Sequence, residues 1–168
     1  PIRQIDGQPK VDASLVYGDD QVPHDAVLVR VIRSPHHYAS FKIGDKAEFL
    51  AKHFGILAVL DASDVPGRNC FGVIPTFADQ PVFAEKTALY RGDAVAAIVG
   101  DPDSISKFDE ADFPISWEPH DTMLTPESAT STGAPKLHNS RDGNILVRGY
   151  VECGDADSAL AAAKHQVK

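Results

Sequence analysis

The sequence contains only two cysteines, Cys70 and Cys153, far apart in a chain of 168 residues. They fit no C-x-x-C pattern, which excludes a zinc or iron–sulfur site built from cysteines of this chain alone. A disulfide between them stays open as an alternative. Reduced thiols are the simpler interpretation, and they indicate a cytoplasmic location.

Long apolar runs and basic blocks are also absent. No apolar stretch approaches 18 residues, so we expect no membrane span, and the amino-terminal PIRQIDGQPK has no apolar signal core. Acidic residues outnumber basic residues by 24 to 16, which gives a net charge of −8. This negative charge argues against binding to nucleic acids and to anionic membranes, because both require a positive surface.

Length and composition are those of a folded protein. A chain of this length corresponds to one domain or one and a half, and its hydrophobic content of 43% is that of a globular protein. Residues 1–21 are polar and rich in turn formers. We interpret them as an arm that wraps a neighbour or as a flexible end.

The run Ile56–Leu60 carries no charge and is too short for an independent helix. It predicts a buried strand around which the rest of the chain is organised. Pro66 and Gly67 then predict a tight turn with Gly67 at positive φ. The loop that follows is the candidate partner-facing site, and an ordinary connection between strands is the alternative. Its residues are Asn69, Cys70, Phe71 and Gly72.

Periodicity and capping residues predict an α+β fold, a mixed α/β arrangement with a mixed sheet and about three helices. The predicted strands lie at 25–33, 39–43, 56–60, 87–90, 94–99, 115–118 and 145–151, and the predicted helices at 45–54, 102–113 and 156–164. Residues 119–144 are poor in apolar side chains and predict a long surface excursion. We therefore predict one domain over residues 22–168 that contains this excursion.

The residues that could carry chemistry do not form a recognisable site. His36 and His37 are adjacent, so on a strand they point to opposite faces, and a packed or solvated pair is favoured over a metal site. Cys70 lacks a recognisable histidine partner and is interpreted as a structural thiol. Glu110 and Asp112 belong to the solvated face of a predicted helix. We predict no catalytic, cofactor-binding or metal-ligating residue in this chain.

Several short segments occur in an order that points to one protein family. These segments are Ser34–Phe41, Val59–Asn69, Gly92–Val99, Trp117-Glu118-Pro119 and Gly154-Asp155. Together they resemble the N-terminal α/β hammerhead domain of the molybdenum hydroxylases, the xanthine dehydrogenase and aldehyde oxidase family. The resemblance runs from about Tyr17 to Val167, while Tyr38, Asp93 and Pro114 depart from the family pattern.

The resemblance implies a scaffold domain or split subunit of an enzyme that oxidises aldehydes or N-heterocycles with oxygen from water. In that family molybdopterin and the catalytic glutamate belong to larger domains C-terminal to the hammerhead, and the iron–sulfur clusters to another domain or subunit. It thus implies no cofactor on this chain alone, and a molybdopterin-binding and an iron–sulfur partner. The arm at 1–21 and the excursion, which cannot bury enough apolar surface alone, also allow self-association of the isolated chain. The alternatives are a stand-alone binding or assembly domain that reuses the fold, and a small hydrolase that uses Cys70.

Overall fold

The apolar strand Ala94–Gly100, β5, forms the centre of an antiparallel sheet in the computed structural model, which describes residues 4–167. Leu28–Arg33, β1, pairs with one edge of β5, and Ile56–Leu60, β3, pairs with the other. Val95 and Ile98 are 0% exposed, so both faces of β5 are covered. The prediction of a fully buried strand at 94–99 is confirmed.

β3 is an edge strand rather than the buried centre of the sheet. Ile56 and Val59 face the core, but Leu57 is 64% exposed. The prediction that this strand is fully buried and organises the chain is therefore wrong. A charge-free run identifies a strand, but tertiary packing decides whether a neighbour covers its second face and second edge.

A second antiparallel sheet has Ala39–Ile43, β2, at its centre. Its neighbours are the two-residue strand Thr87–Ala88, β4, and the strand Ile115–Pro119, β6. The mixed α/β fold class is confirmed. The single mixed sheet is wrong, because the described strands form two sheets and every pair within them is antiparallel.

Three phenylalanine side chains form an aromatic cluster in the hydrophobic core. The Phe49 ring meets Phe108 edge-on, with ring centroids 5.8 Å apart, and Phe113 at 5.6 Å. All three side chains are buried, together with Ile105. Edge-to-face pairs of this kind add about 0.5–1.5 kcal/mol each beyond the free energy of burying their area.

Two predicted helices begin where their capping residues place them. Lys46–Lys52, α2, follows Asp45, whose Oδ1 accepts hydrogen bonds from the backbone N–H groups of the first turn. Pro102–Lys107, α3, follows Asp101, which caps it in the same way. α3 is shorter than the predicted 102–113, because the chain continues as the 3-10 turn Glu110–Asp112. The break allows both flanking phenylalanines to face the core.

The chain divides into two compact units, Pro1–Thr122 and Met123–Lys168. In the second unit a short helix, Pro126–Thr130, α4, lies within the predicted excursion, and Ala156–Ala162, α5, confirms the last predicted helix. The prediction of a strand at 145–151 is wrong, because these residues join no described sheet. No described residue of this unit is buried. The domain bounds 22–168 stay a prediction.

The predicted arm at 1–21 contains one short helix, Gly7–Val11, α1, and the 3-10 turn Gly18–Gln21. Residues 1–3 of the arm lie outside the described residues, and none of the others is buried. The helices predicted in the sequence are thus α2, α3 and α5, with α1 and α4 in addition. Over residues 4–167 no helix is long and apolar enough to cross a membrane.

Gly100 and Gly67 differ in whether the structure has room for a side chain at their position. A Cβ on Gly100, at the end of β5, would collide with the carbonyl oxygen of Gly55 and lie 3.0 Å from the Cα of Ile56. Gly67 has no atom within 4 Å of such a Cβ and is not among the described glycines with positive φ. The expectation of positive φ at Gly67 is therefore wrong.

We expect Gly100→Ala to lower the free energy of unfolding by about 1–3 kcal/mol, because the neighbouring backbone must move to admit a methyl group. Gly67→Val serves as the control and should change it by less than about 0.5 kcal/mol. Urea denaturation followed by circular dichroism measures both. Equal effects of the two substitutions would contradict this account of the sheet.

Candidate functional site

The chain leaves β3 through a turn held by two acidic side chains. Asp61 Oδ1 accepts from the N–H of Ser63 at 2.8 Å, and Asp64 Oδ2 accepts from the N–H of Asp61 at 2.8 Å. This reciprocal pair closes the 3-10 turn Ala62–Asp64. Both carboxylates satisfy backbone donors that the end of the strand leaves without partners.

Lys46, in α2, connects that helix to the turn through ion pairs with both carboxylates. Its Nζ lies 2.7 Å from Asp61 Oδ2 and 3.1 Å from Asp64 Oδ2. Burial opposes the charge of Asp61, but hydrogen bonds from Lys46 and Ser63 outweigh it and lower the pKa of Asp61. The hydrogen bond from the Asp61 backbone and the one from Lys46 lower the pKa of Asp64. Burial likewise opposes the Lys46 charge, yet its two carboxylate partners raise the pKa of Lys46.

Asn69 fastens the candidate loop to a distant segment. Its Nδ2 donates to the carbonyl of Phe83 at 2.8 Å, and its Oδ1 accepts from the N–H groups of Val82 at 3.0 Å and Phe83 at 3.2 Å. One side chain thus pairs with three backbone groups 13 and 14 residues away. Asn69 thereby closes the loop that runs from 69 to 83.

The closed loop presents apolar side chains to solvent. Phe71 is 52% exposed, Val73 is fully exposed and Ile74 is 57% exposed. The N–H of Phe71 donates to the carbonyl of Gln80 at 2.8 Å, and Gly72 approaches Ala78 so closely that a Cβ would lie 2.7 Å from its Cα. These contacts hold the backbone while the apolar groups stay uncovered. We call Phe71, Val73 and Ile74 the loop patch.

The loop carries no recognisable chemistry of its own. Cys70 is a free, half-buried thiol, and Cys153 is a free, exposed one. Within residues 4–167, no three His, Cys, Asp or Glu side chains are placed to hold a metal ion. An exposed patch of apolar groups on a fixed backbone is suited to contact with another protein surface.

The adjacent histidines His36 and His37 differ in their surroundings. His36 is half-buried and its ring meets the Trp117 ring edge-on, with centroids 5.5 Å apart, whereas His37 is exposed. Glu110 lies on the 3-10 turn after α3 and forms an ion pair with Arg30 at 2.9 Å. No described contact joins these groups to the candidate loop, and packing and surface pairing explain them.

One close Ser–His pair escapes the sequence analysis. The hydroxyl of Ser40 lies 2.8 Å from His120 Nε2, and the backbone N–H of Ser40 donates to the same nitrogen at 3.2 Å. Nε2 is therefore an acceptor, so the ring proton of the neutral histidine lies on Nδ1. The pair joins β2 to the residue that follows β6. Its two members are 80 residues apart, so no local pattern signals it.

The chain is similar in sequence to proteins of one enzyme family. The sequence model described as "Aldehyde oxidase and xanthine dehydrogenase, a/b hammerhead domain" matches residues 12–111. A Bacillus subtilis protein named as a probable xanthine dehydrogenase subunit is 34% identical over 160 residues, which are 94% of this chain and 20% of that protein. The nicotinate dehydrogenase large molybdopterin subunit of Eubacterium barkeri is 29% identical over 94% of this chain and 36% of its own length.

Solved structures show the same fold at lower identity. The quinoline 2-oxidoreductase of Pseudomonas putida 86 has a TM-score of 0.77 and 19% identity over 98% of this chain and 21% of its own. The aldehyde oxidoreductase of Desulfovibrio gigas has a TM-score of 0.74 and 20% identity over 96% of this chain and 19% of its own. The chain spans about a fifth to a third of the length of these relatives.

We expect Asn69→Ala to destabilise the protein by about 1–3 kcal/mol, because three backbone groups lose their partner. Amide exchange at Val82 and Phe83 should accelerate more than exchange in β5. Cys70→Ala is the neighbouring control, and it should leave exchange at both positions unchanged. Unchanged exchange in the Asn69 variant would show that the loop is held by other contacts.

The lowered pKa values of Asp61 and Asp64 predict a pH-dependent contribution to stability. A carboxylate with a folded-state pKa below its ordinary value of 3.8 stabilises the fold above that pH and loses this effect as the pH falls further. Lys46→Met should therefore cost about 1 kcal/mol at pH 7, since the pair is only half-buried, and the difference should vanish at acidic pH. Lys107→Met, which breaks an exposed pair with Asp103, is the control. A difference independent of pH would contradict the assignment.

Proposed function

The chain belongs to the aldehyde oxidase and xanthine dehydrogenase family as its α/β hammerhead domain, and we propose that it serves as a scaffold in a molybdenum hydroxylase. The whole enzyme would oxidise an aldehyde or an N-heterocycle with oxygen taken from water. The observation that carries the proposal is the extent of the match. A relative is 34% identical over 94% of this chain, and the aligned region makes up only 20% of that relative's length.

The residues of this chain do not supply the ligands of an iron–sulfur cluster. An iron–sulfur cluster takes four cysteine thiolates as a rule, whereas this chain has two cysteines, one in each unit. The described acidic and histidine side chains form no cluster of three ligands either. We therefore assign the iron–sulfur clusters to a separate subunit. We propose that molybdopterin belongs to a molybdopterin-binding domain or subunit, because the matched region is 36% of a relative named as a large molybdopterin subunit.

The exposure of the second unit supports an assembly role. None of its described residues is buried, although Leu146, Val147, Tyr150, Val151 and Leu160 are large apolar side chains. A segment that buries little apolar surface gains little to offset the entropy it loses on ordering. The loop patch of the first unit likewise exposes apolar area. Both features are explained if a larger partner covers them.

The cytoplasm is the proposed location, because the two cysteines are free thiols and reduced thiols are typical of that compartment. Self-association of the isolated chain is proposed for the same reason as partner binding, since uncovered apolar surface promotes both. A stand-alone assembly domain without redox chemistry is the competing function. The flanking DNA discriminates them, because a hydroxylase requires a molybdopterin-binding region in the same or a neighbouring reading frame.

We expect the isolated chain to contain no molybdenum or iron and to lack dehydrogenase activity with aldehydes or purines. Produced together with its molybdopterin-binding and iron–sulfur partners, it should form a stable complex that oxidises one of these substrates. Elemental analysis and a dye-reduction assay measure the two properties. Stoichiometric molybdenum in the purified isolated chain would overturn the proposed division of labour.

The loop patch allows a sharper version of this test. Val73→Asp should weaken binding to the partner by roughly tenfold, because it places a charge in an apolar contact. Lys107→Gln makes the same change in net charge at another exposed position and should bind as the wild type does. Amide exchange at residues 1–21 and 119–144 should slow on assembly. If both segments are already protected in a monomer, the stand-alone domain is favoured.

A further inference from the structure

Residues 145–151, with the sequence ILVRGYV, combine strong strand propensity with a lack of described strand partners. Five of the seven residues are β-branched, aromatic or leucine. No described backbone hydrogen bond connects this segment with any other part of the chain. Leu146 is 57% exposed, Tyr150 is 82% exposed and Val151 is fully exposed. The segment is therefore uncovered along most of its length.

Alternation along the segment separates two kinds of face. In an extended chain Ile145, Val147 and Val151 point to one side, and Leu146, Arg148 and Tyr150 to the other. The first set is entirely apolar, whereas the second contains the guanidinium of Arg148 and the hydroxyl of Tyr150. This division is typical of a strand with one face in a core and the other partly solvated.

A helix with exposed apolar groups follows the segment directly. Gly154 has a φ of 72°, and Asp155 caps α5 by accepting from the N–H of Ser158 at 3.0 Å. Leu160 of α5 is 64% exposed. A segment of strand-forming residues, a turn and a capped helix therefore occur in succession, and none of the residues in them is buried.

The segment lies outside the matched hammerhead region but within the part that is shared with a longer relative. The hammerhead match ends at residue 111, well before this segment. The alignment with the Bacillus subtilis relative leaves only about ten residues of this chain unmatched, so it includes the segment. That relative carries four-fifths of its length outside the matched region. The segment is thus shared with long enzymes without belonging to the matched hammerhead.

We propose that residues 145–151 form a strand that adds to the exposed edge of a β-sheet in the molybdopterin-binding part of the enzyme. Ile145, Val147 and Val151 enter the core of that sheet, and α5 packs against the same sheet. This inference rests on the proposed function, because it takes the larger part of a molybdenum hydroxylase as the partner. Strand addition supplies backbone hydrogen bonds for affinity and side-chain pockets for register.

The test uses the assembled enzyme and compares adjacent positions. Val147→Asp and Val147→Pro should each weaken assembly at least about tenfold, the first by placing a charge in the core and the second by removing a backbone donor. Val147→Ile keeps an apolar β-branched side chain and the backbone donor, so it should weaken assembly clearly less than either of these substitutions. Arg148→Ser, on the other face, should change the affinity less than about twofold. The thermal midpoint of the isolated chain reports whether each variant still folds.

Amide exchange provides the second measurement. Exchange at residues 145–151 should slow by about a hundredfold or more in the assembled enzyme. If the chain assembles while this segment keeps its unprotected rate, or Val147→Pro assembles normally, strand addition is overturned and the proposed function stands. If the chain does not assemble at all, the proposed function itself fails. Protection that appears in the isolated chain with rising concentration would assign the strand to a second copy and overturn the partner named here.

Discussion

Burial of β5 on both faces is the constraint on which the first unit depends. Its residues are small or β-branched and uncharged, so β1 and β3 can pair with both of its edges while apolar side chains of the core cover its faces. The last residue of β5, Gly100, passes against the backbone of Gly55. That contact sets where β3 begins, and therefore where the chain leaves β3 for the Asp61 turn and the loop beyond it.

Local signals predict those parts of the fold that are decided locally. Asp45, Asp101 and Asp155 each cap a helix through their own side chains, so a few residues of sequence contain the whole interaction. The uncharged run 94–99 likewise predicts the buried strand that the fold contains. Where residues distant in sequence decide the structure, the same patterns give wrong predictions. Ile56–Leu60 has the composition of a central strand and is an edge strand, and residues 145–151 have that of a strand and join no described sheet.

The candidate loop likewise has one feature that the local sequence predicts and one that depends on distant residues. Its position after β3 follows from the sequence, since Pro66 and the residues after it interrupt the strand pattern. Its fixed geometry does not, because Asn69 finds its partners at Val82 and Phe83, which are distant in sequence. The proline neighbour of Gly67 suggests a strained turn. In the fold, a backbone hydrogen bond from Gly67 to Val65 closes that turn without positive φ.

The two exposed apolar regions differ in how firmly hydrogen bonds within the chain already hold their backbone. The loop patch is held by Asn69 and by the Phe71–Gln80 hydrogen bond before any partner arrives, so its binding costs little conformational entropy. Residues 145–151 have neither a buried side chain nor a described backbone hydrogen bond to another part of the chain, so ordering them would cost more conformational entropy. If one partner covers both regions, as proposed, the preformed loop patch can bind first and raise the local concentration of residues 145–151 near that partner. Under that proposal, the order of assembly follows from which segments are already held by backbone hydrogen bonds.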